Sequence, residues 1–111
     1  MKRLVFVLIT ILLSFQAFGY TSYCVSLQSN QSVNACFKQN IQMRVQQISV
    51  ILKKFNDHPK ITQAQQAGLL KTQTIFENTV DKACEDNNCV EGALIERIYY
   101  LNKAYEELSQ Q

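Results

Sequence analysis

The sequence predicts an all-α fold: a three-helix, disulfide-tied bundle made of a long antiparallel hairpin plus a C-terminal helix. Three observations carry that prediction. Apolar residues recur every three or four positions over three long stretches, which places them on one face of a helix. No stretch of useful length alternates as a strand would, and no repeat or low-complexity segment interrupts the pattern. Four cysteines supply cross-links to a chain whose small core profits from them.

The start of the chain reads as a signal peptide covering residues 1–19. Met1, Lys2 and Arg3 give a positive start, Leu4 to Phe15 is almost wholly apolar, and Ala17 and Gly19 are small residues at the two positions that signal peptidase reads. The apolar run is about a dozen residues, short of the roughly 20 that a transmembrane helix needs. Thr21-Ser22-Tyr23 before Cys24 does not form a lipoprotein cleavage box. The expected product is a periplasmic or secreted domain of residues 20–111, with no membrane attachment once the signal is removed.

The first mature helix is expected after Ser29, a good N-cap residue. Val33, Phe37, Ile41, Val45, Ile48, Leu52 and Phe55 then form its apolar stripe. Asn56-Asp57-His58-Pro59 ends it, because proline has no N–H to donate and disfavours helical geometry at the residue before it. His58, the only histidine, is accordingly read as a turn residue. Thr62 with Gln65 reads as a capping box opening the second helix, which runs to Cys84 through LLKTQTIFENTVDKAC. Leu69, Gln73, Phe76, Val80 and Ala83 share its buried face. After the acidic link Glu85-Asp86-Asn87-Asn88, a third helix beginning near Val90 carries Leu94, Ile98, Leu101, Tyr105 and Leu108.

In an exported chain the cysteines read as two disulfides. Zinc is disfavoured because neither pair has the two-residue spacing of most zinc knuckles, and haem attachment lacks its Cys-x-x-Cys-His motif; no cofactor is expected. Helices from Cys36 to Asn56 and from Thr62 to Cys84 each rise roughly 30 to 33 Å, so a hairpin brings Cys36 level with Cys84. The expected pattern is therefore nested, Cys36 with Cys84 and Cys24 with Cys89. The local pairs, Cys24 with Cys36 and Cys84 with Cys89, are also possible, and would contribute less because they enclose shorter loops.

Lys2 and Arg3 account for two of the 11 cations, so the mature chain keeps nine against nine acidic residues. A neutral chain gives no reason to expect nucleic acid or an anionic membrane as partner. The charge is nonetheless uneven: Lys38 to Lys71 holds six cations and one anion, Glu77 to Arg97 six anions and two cations. An enzyme is not expected. No histidine stands near the cysteines, no Gly-rich phosphate loop is present, and no motif sets a nucleophile beside a base.

The spacing of several residues resembles the small exported bacterial family named for the N-terminal domain of the lysozyme inhibitor LprI. The matching features run in order along nearly all of the mature chain. They are CVSLQSNQSVNAC with Asn34 two before Cys36, Gln73 eleven before Cys84 with the aromatic Phe76 three further on, Asp81 three before Cys84, and Arg97 eight after Cys89. The chain departs from the family in Phe76, where Trp is usual, in Val80, where Arg is usual, and in the short Cys84–Cys89 segment, where a longer Gly-rich stretch is usual. The resemblance implies a periplasmic or secreted helical protein that inhibits lysozyme or another basic cell-wall hydrolase by protein–protein contact. Asp81, Glu85, Asp86 and Glu91 would form the acidic surface that attracts such a partner. Competing local readings are that Glu91 complements a helix dipole and that Asp81 pairs with Arg97 to fix the third helix on the second. The alternative function is a secreted interaction or adaptor protein without hydrolase inhibition.

Overall fold

The computed structural model of this chain describes residues 20–110. The expected signal peptide, residues 1–19, lies outside the described residues. A short 3-10 turn, Tyr23–Ser26, leads into three helices: α1 (Asn30–Asp57), α2 (Gln63–Ala83) and α3 (Asn87–Ser109). The all-α, three-helix, two-disulfide architecture predicted from periodicity is the one observed.

Side-chain caps set where the helices begin. Ser29 Oγ accepts from the Ser32 amide at 3.1 Å. The Thr62–Gln65 capping box closes in both directions, at 3.1 Å to Thr62 Oγ1 and 2.8 Å to Gln65 Oε1, satisfying amides that a helix start leaves without partners. Asp86 Oδ1 accepts from the Cys89 amide at 2.8 Å. That last cap starts α3 at Asn87, ahead of the Val90 expected from the apolar pattern, so the acidic link between α2 and α3 is shorter than predicted.

The tightest packing is between α1 and α3, which run parallel. Asn40 near the start of α1 meets Glu91, and Phe55 near its end meets Tyr105, ring edge to ring face at 5.2 Å. α2 returns antiparallel to both, as the predicted hairpin requires. The core draws Ile48, Ile51 and Phe55 from α1, Leu69, Phe76 and Val80 from α2, and Ala93, Leu94, Leu101, Ala104 and Leu108 from α3, with Ile61 from the α1–α2 turn. Val45, expected in the buried stripe, is 51 % exposed, and Ile51 takes the buried role. Three successive steps of four residues from Val33 rotate the stripe by about 120°, because each residue turns the helix by about 100°. Val45 is thereby carried past the edge of the face on which Phe37, Ile48, Ile51 and Phe55 sit.

The disulfides correct the nested expectation. Cys24 is bonded to Cys36 and Cys84 to Cys89, with Cα separations of 5.6 and 5.3 Å. Level along the bundle does not decide between partners at the same end. Cys84 is the C-cap of α2 and Cys89 lies in the first turn of α3, so the Asp86-capped link already holds them at bonding distance. The 3-10 turn likewise lays Cys24 against the second turn of α1. In the loop-closure account the Cys24–Cys36 bridge is worth about 3 kcal/mol and Cys84–Cys89 about 2 kcal/mol. Non-reducing peptide mapping is expected to recover these two local pairs, and a fragment joining Cys36 to Cys84 would contradict the fold.

Candidate functional site

The acidic residues singled out in the sequence gather at one end of the bundle, where α2 passes into α3, but they do not all face solvent. Asp81 in the last turn of α2, and Glu85 and Asp86 in the link, are exposed. The Asp86 carboxylate is engaged as the α3 cap. Glu91 is the exception: it is 2 % exposed and its Oε1 accepts from Asn40 Nδ2 at 2.8 Å. It is a buried group of the α1–α3 interface and cannot belong to a partner-binding surface. The exposed acidic end is therefore Asp81 in the last turn of α2, with Glu85 and Asp86 on the link closed by Cys84–Cys89.

Around Glu91 stands a polar layer that sequence periodicity does not disclose. Asn40 Nδ2 also approaches Cys24 Sγ at 3.4 Å and the Tyr23 hydroxyl at 3.2 Å. Asn88 fastens the N-terminal lead to α3: its Nδ2 donates to the Tyr20 carbonyl at 2.6 Å and its Oδ1 accepts from the Ser22 amide at 2.6 Å. Burial raises the Tyr20 phenol pKa. Asn40 carried one visible signal, its place on the buried side of α1 one turn after Cys36, where an apolar residue would be expected.

A second polar cluster unites three residues that carried the family resemblance. Arg97 is 1 % exposed. Its Nε donates to Gln73 Oε1 at 2.9 Å and its Nη2 to Thr72 Oγ1 at 3.1 Å, while the guanidinium sits 5.4 Å from the centroid of the Phe76 ring. Gln73, Phe76 and Arg97 thus meet between α2 and α3. The Asp81–Arg97 pair considered from sequence is replaced by these neutral partners, and Asp81 and Asn34 lie apart from the cluster, both exposed. Burial lowers the Arg97 pKa to about 10, with the Glu77 charge acting in the opposite direction. Beside the cluster, Val45, Ile48, Leu52, Phe76 and Leu94 line a groove of about 250 Å³ with Gln73 and Glu77 on its wall.

All four cysteines are in disulfides, so none is available as a thiolate ligand or nucleophile. Among the described residues no helix is long and apolar enough to cross a membrane. Both features are compatible with an extracellular or periplasmic protein. The chain matches no protein-family model, no curated protein and no solved structure.

Proposed function

We propose that the mature chain is an exported binding protein of the lysozyme-inhibitor type, which blocks a basic cell-wall hydrolase by direct contact through its acidic end. The observation that carries this reading is the exposure of Glu85 and Asp86 on a link whose backbone is cross-linked by Cys84–Cys89, with Asp81 exposed in the helical turn just before it. A pinned loop loses little conformational freedom on binding, which lowers the cost of association. Exposed carboxylates on it attract a cationic partner over the roughly 8 Å Debye length of physiological salt. Three of the residues on which the family resemblance rests, Gln73, Phe76 and Arg97, meet in one buried cluster, whereas Asn34 and Asp81 stand outside it.

Purified oxidised protein, in excess over lysozyme, is expected to slow the clearing of a cell-wall suspension, and the inhibition is expected to weaken as salt rises. Asp81→Lys with Glu85→Lys should slow association several-fold at low ionic strength with little change in melting temperature, because both side chains are exposed. Asp86 is left intact in this variant since removing its cap would itself cost about 1 kcal/mol. Lys53→Glu, far along α1, is the charge control and should leave inhibition unchanged. Undiminished lysozyme activity at a large excess of the wild-type protein would overturn the inhibitor reading.

A second reading, an adaptor without hydrolase inhibition, draws on a different surface. Tyr23, Val25 and Leu27 are 65, 48 and 40 % exposed around the Cys24–Cys36 bridge, a cluster of apolar side chains suited to a protein contact. Binding of a partner that survives the acidic reversals and is lost on Tyr23→Ser with Val25→Ser would favour it.

A further inference from the structure

We propose that the open seam between α1 and α2 is a face on which a second copy of this chain docks, antiparallel, about a twofold axis that crosses the seam at Ser49. The seam is where the bundle is least closed. α1 and α2 approach each other less closely than α1 and α3, and two hollows of about 250 Å³ each lie between them, meeting at Leu52. Phe76 and Leu69 line these hollows from within the core, while Val45 and Leu70 stand 51 and 57 % exposed at their edges. An apolar furrow with exposed aliphatic side chains along it is the kind of surface that contacts another protein.

The arrangement of charge along the furrow selects a second copy as the occupant. Gln66 Nε2 donates to the Phe55 and Asn56 carbonyls at 3.4 and 3.3 Å, and Val45 shares a hollow with Phe76 and Glu77. These contacts fix which residues of the two antiparallel helices stand level. Lys53 lines the hollow at one end of the seam and Glu77 the hollow at the other, and both are exposed. They are offset by about 13 Å along the helices at about 1.5 Å per residue, too far to pair within one chain. The neighbouring Lys54 is turned away, its Nζ 5.9 Å from the centre of the Tyr105 ring, which leaves Lys53 as the cation of its end.

Midway between the levels of Lys53 and Glu77 lies Ser49, and the midpoint between Val45 and Leu70 falls within one residue of the same place. A single twofold rotation there sets Lys53 level with the second copy's Glu77 and Val45 level with its Leu52 and Leu70. The face is thus self-complementary in both charge and apolar content, as an isologous interface requires. A parallel pair would instead set Lys53 level with Lys53 and Glu77 with Glu77. Ser49 is small and exposed, so the two α1 helices can come close where they cross. The seam ends short of Glu85 and Asp86, so docking leaves the α2–α3 link open and does not depend on the inhibitor reading. A patch of this extent is at the low end of specific interfaces, and the dimer is a weak one.

Sedimentation of the purified oxidised protein between about 10 μM and 1 mM is expected to show a reversible monomer–dimer equilibrium. Lys53→Glu and Glu77→Lys, each alone, should weaken it about tenfold at low salt, because two symmetry-related pairs become like-charged. An equimolar mixture of the two variants should recover the wild-type affinity as a heterodimer, since each then meets the other with opposite charges at both pairs. Val45→Ser with Leu70→Ser should abolish association with little change in melting temperature, both side chains being exposed. A chain that stays monomeric over the whole range overturns the proposal, as does a dimer indifferent to the Val45 and Leu70 replacements. Failure of the mixture to recover affinity overturns the antiparallel register. If Glu77→Lys does not fold, residue 49 decides the register: Ser49→Cys chains should cross-link to one another through that residue, and absence of the cross-link in a dimeric sample overturns it.

Discussion

Phe76→Ala is expected to lower the free energy of unfolding by about 3 to 5 kcal/mol, measured by urea denaturation with both disulfides intact. The ring is 2 % exposed, and it stands between the α1 face bearing Ile48 and Leu52 and the α3 residue Leu94, with which it lines the groove beside the core. Truncation would widen that groove into a cavity that α1 and α2, which approach each other less closely than α1 and α3, are poorly placed to close. It would also remove the aromatic face above which the Arg97 guanidinium lies at 5.4 Å, an interaction worth about 2 kcal/mol when desolvated. Because a domain of this size is stable by only about 5 to 15 kcal/mol, the loss is a large share of the total and should move the urea midpoint well down. A loss under about 1 kcal/mol would mean that the α2 stripe does not form the centre of the core.

The three helices, and the starts of α1 and α2, were legible because the signals are local. Ser29, Thr62 with Gln65, and the apolar spacing of α2 each act within one or two turns, and each is found where the sequence places it. What was not legible depends on a second element. The cysteine pairing turned on the Asp86 cap, which starts α3 early enough to bring Cys89 to Cys84. Glu91 reads as a solvated acidic residue of a helix start until α1 is set beside it, because its partner Asn40 is 51 residues away in sequence. The partner of Arg97 stayed open for the same reason. Nothing local distinguishes Asp81 from Gln73 as its acceptor, whereas burial in the packed structure leaves it the neutral pair Gln73 and Thr72.

Arg97 yields the other large effect, and its sign depends on the replacement. The guanidinium is 1 % exposed, its Nη1 has no partner, and the acceptors of its Nε and Nη2 are neutral. Burial accordingly pulls its pKa down to about 10, which corresponds to a cost on the order of 3 kcal/mol for keeping the charge in the folded state at neutral pH. Arg97→Ala adds a cavity to the loss of the Gln73 bond and should destabilise by about 3 kcal/mol or more. Arg97→Met with Gln73→Leu instead fills the volume and leaves no amide unpaired, since Thr72 Oγ1 retains its bond to the Leu69 carbonyl at 2.7 Å. Replacing buried charge by apolar groups of similar size has been stabilising by about 1 to 4 kcal/mol elsewhere, and a gain within that range is expected here at pH 7. The pH dependence gives an independent check. The unfolded chain holds the Arg97 proton more tightly than the folded one, so wild-type stability should rise, relative to the double variant, as pH climbs through about 10. The advantage of the double variant should therefore shrink between pH 9 and pH 11, and a gap independent of pH would mean that the Arg97 charge is not penalised by burial. Retained lysozyme inhibition by the stabilised variant would further place Gln73 and Arg97 in the scaffold that supports the acidic end, whereas inhibition lost without loss of fold would move the binding surface to the groove beside them.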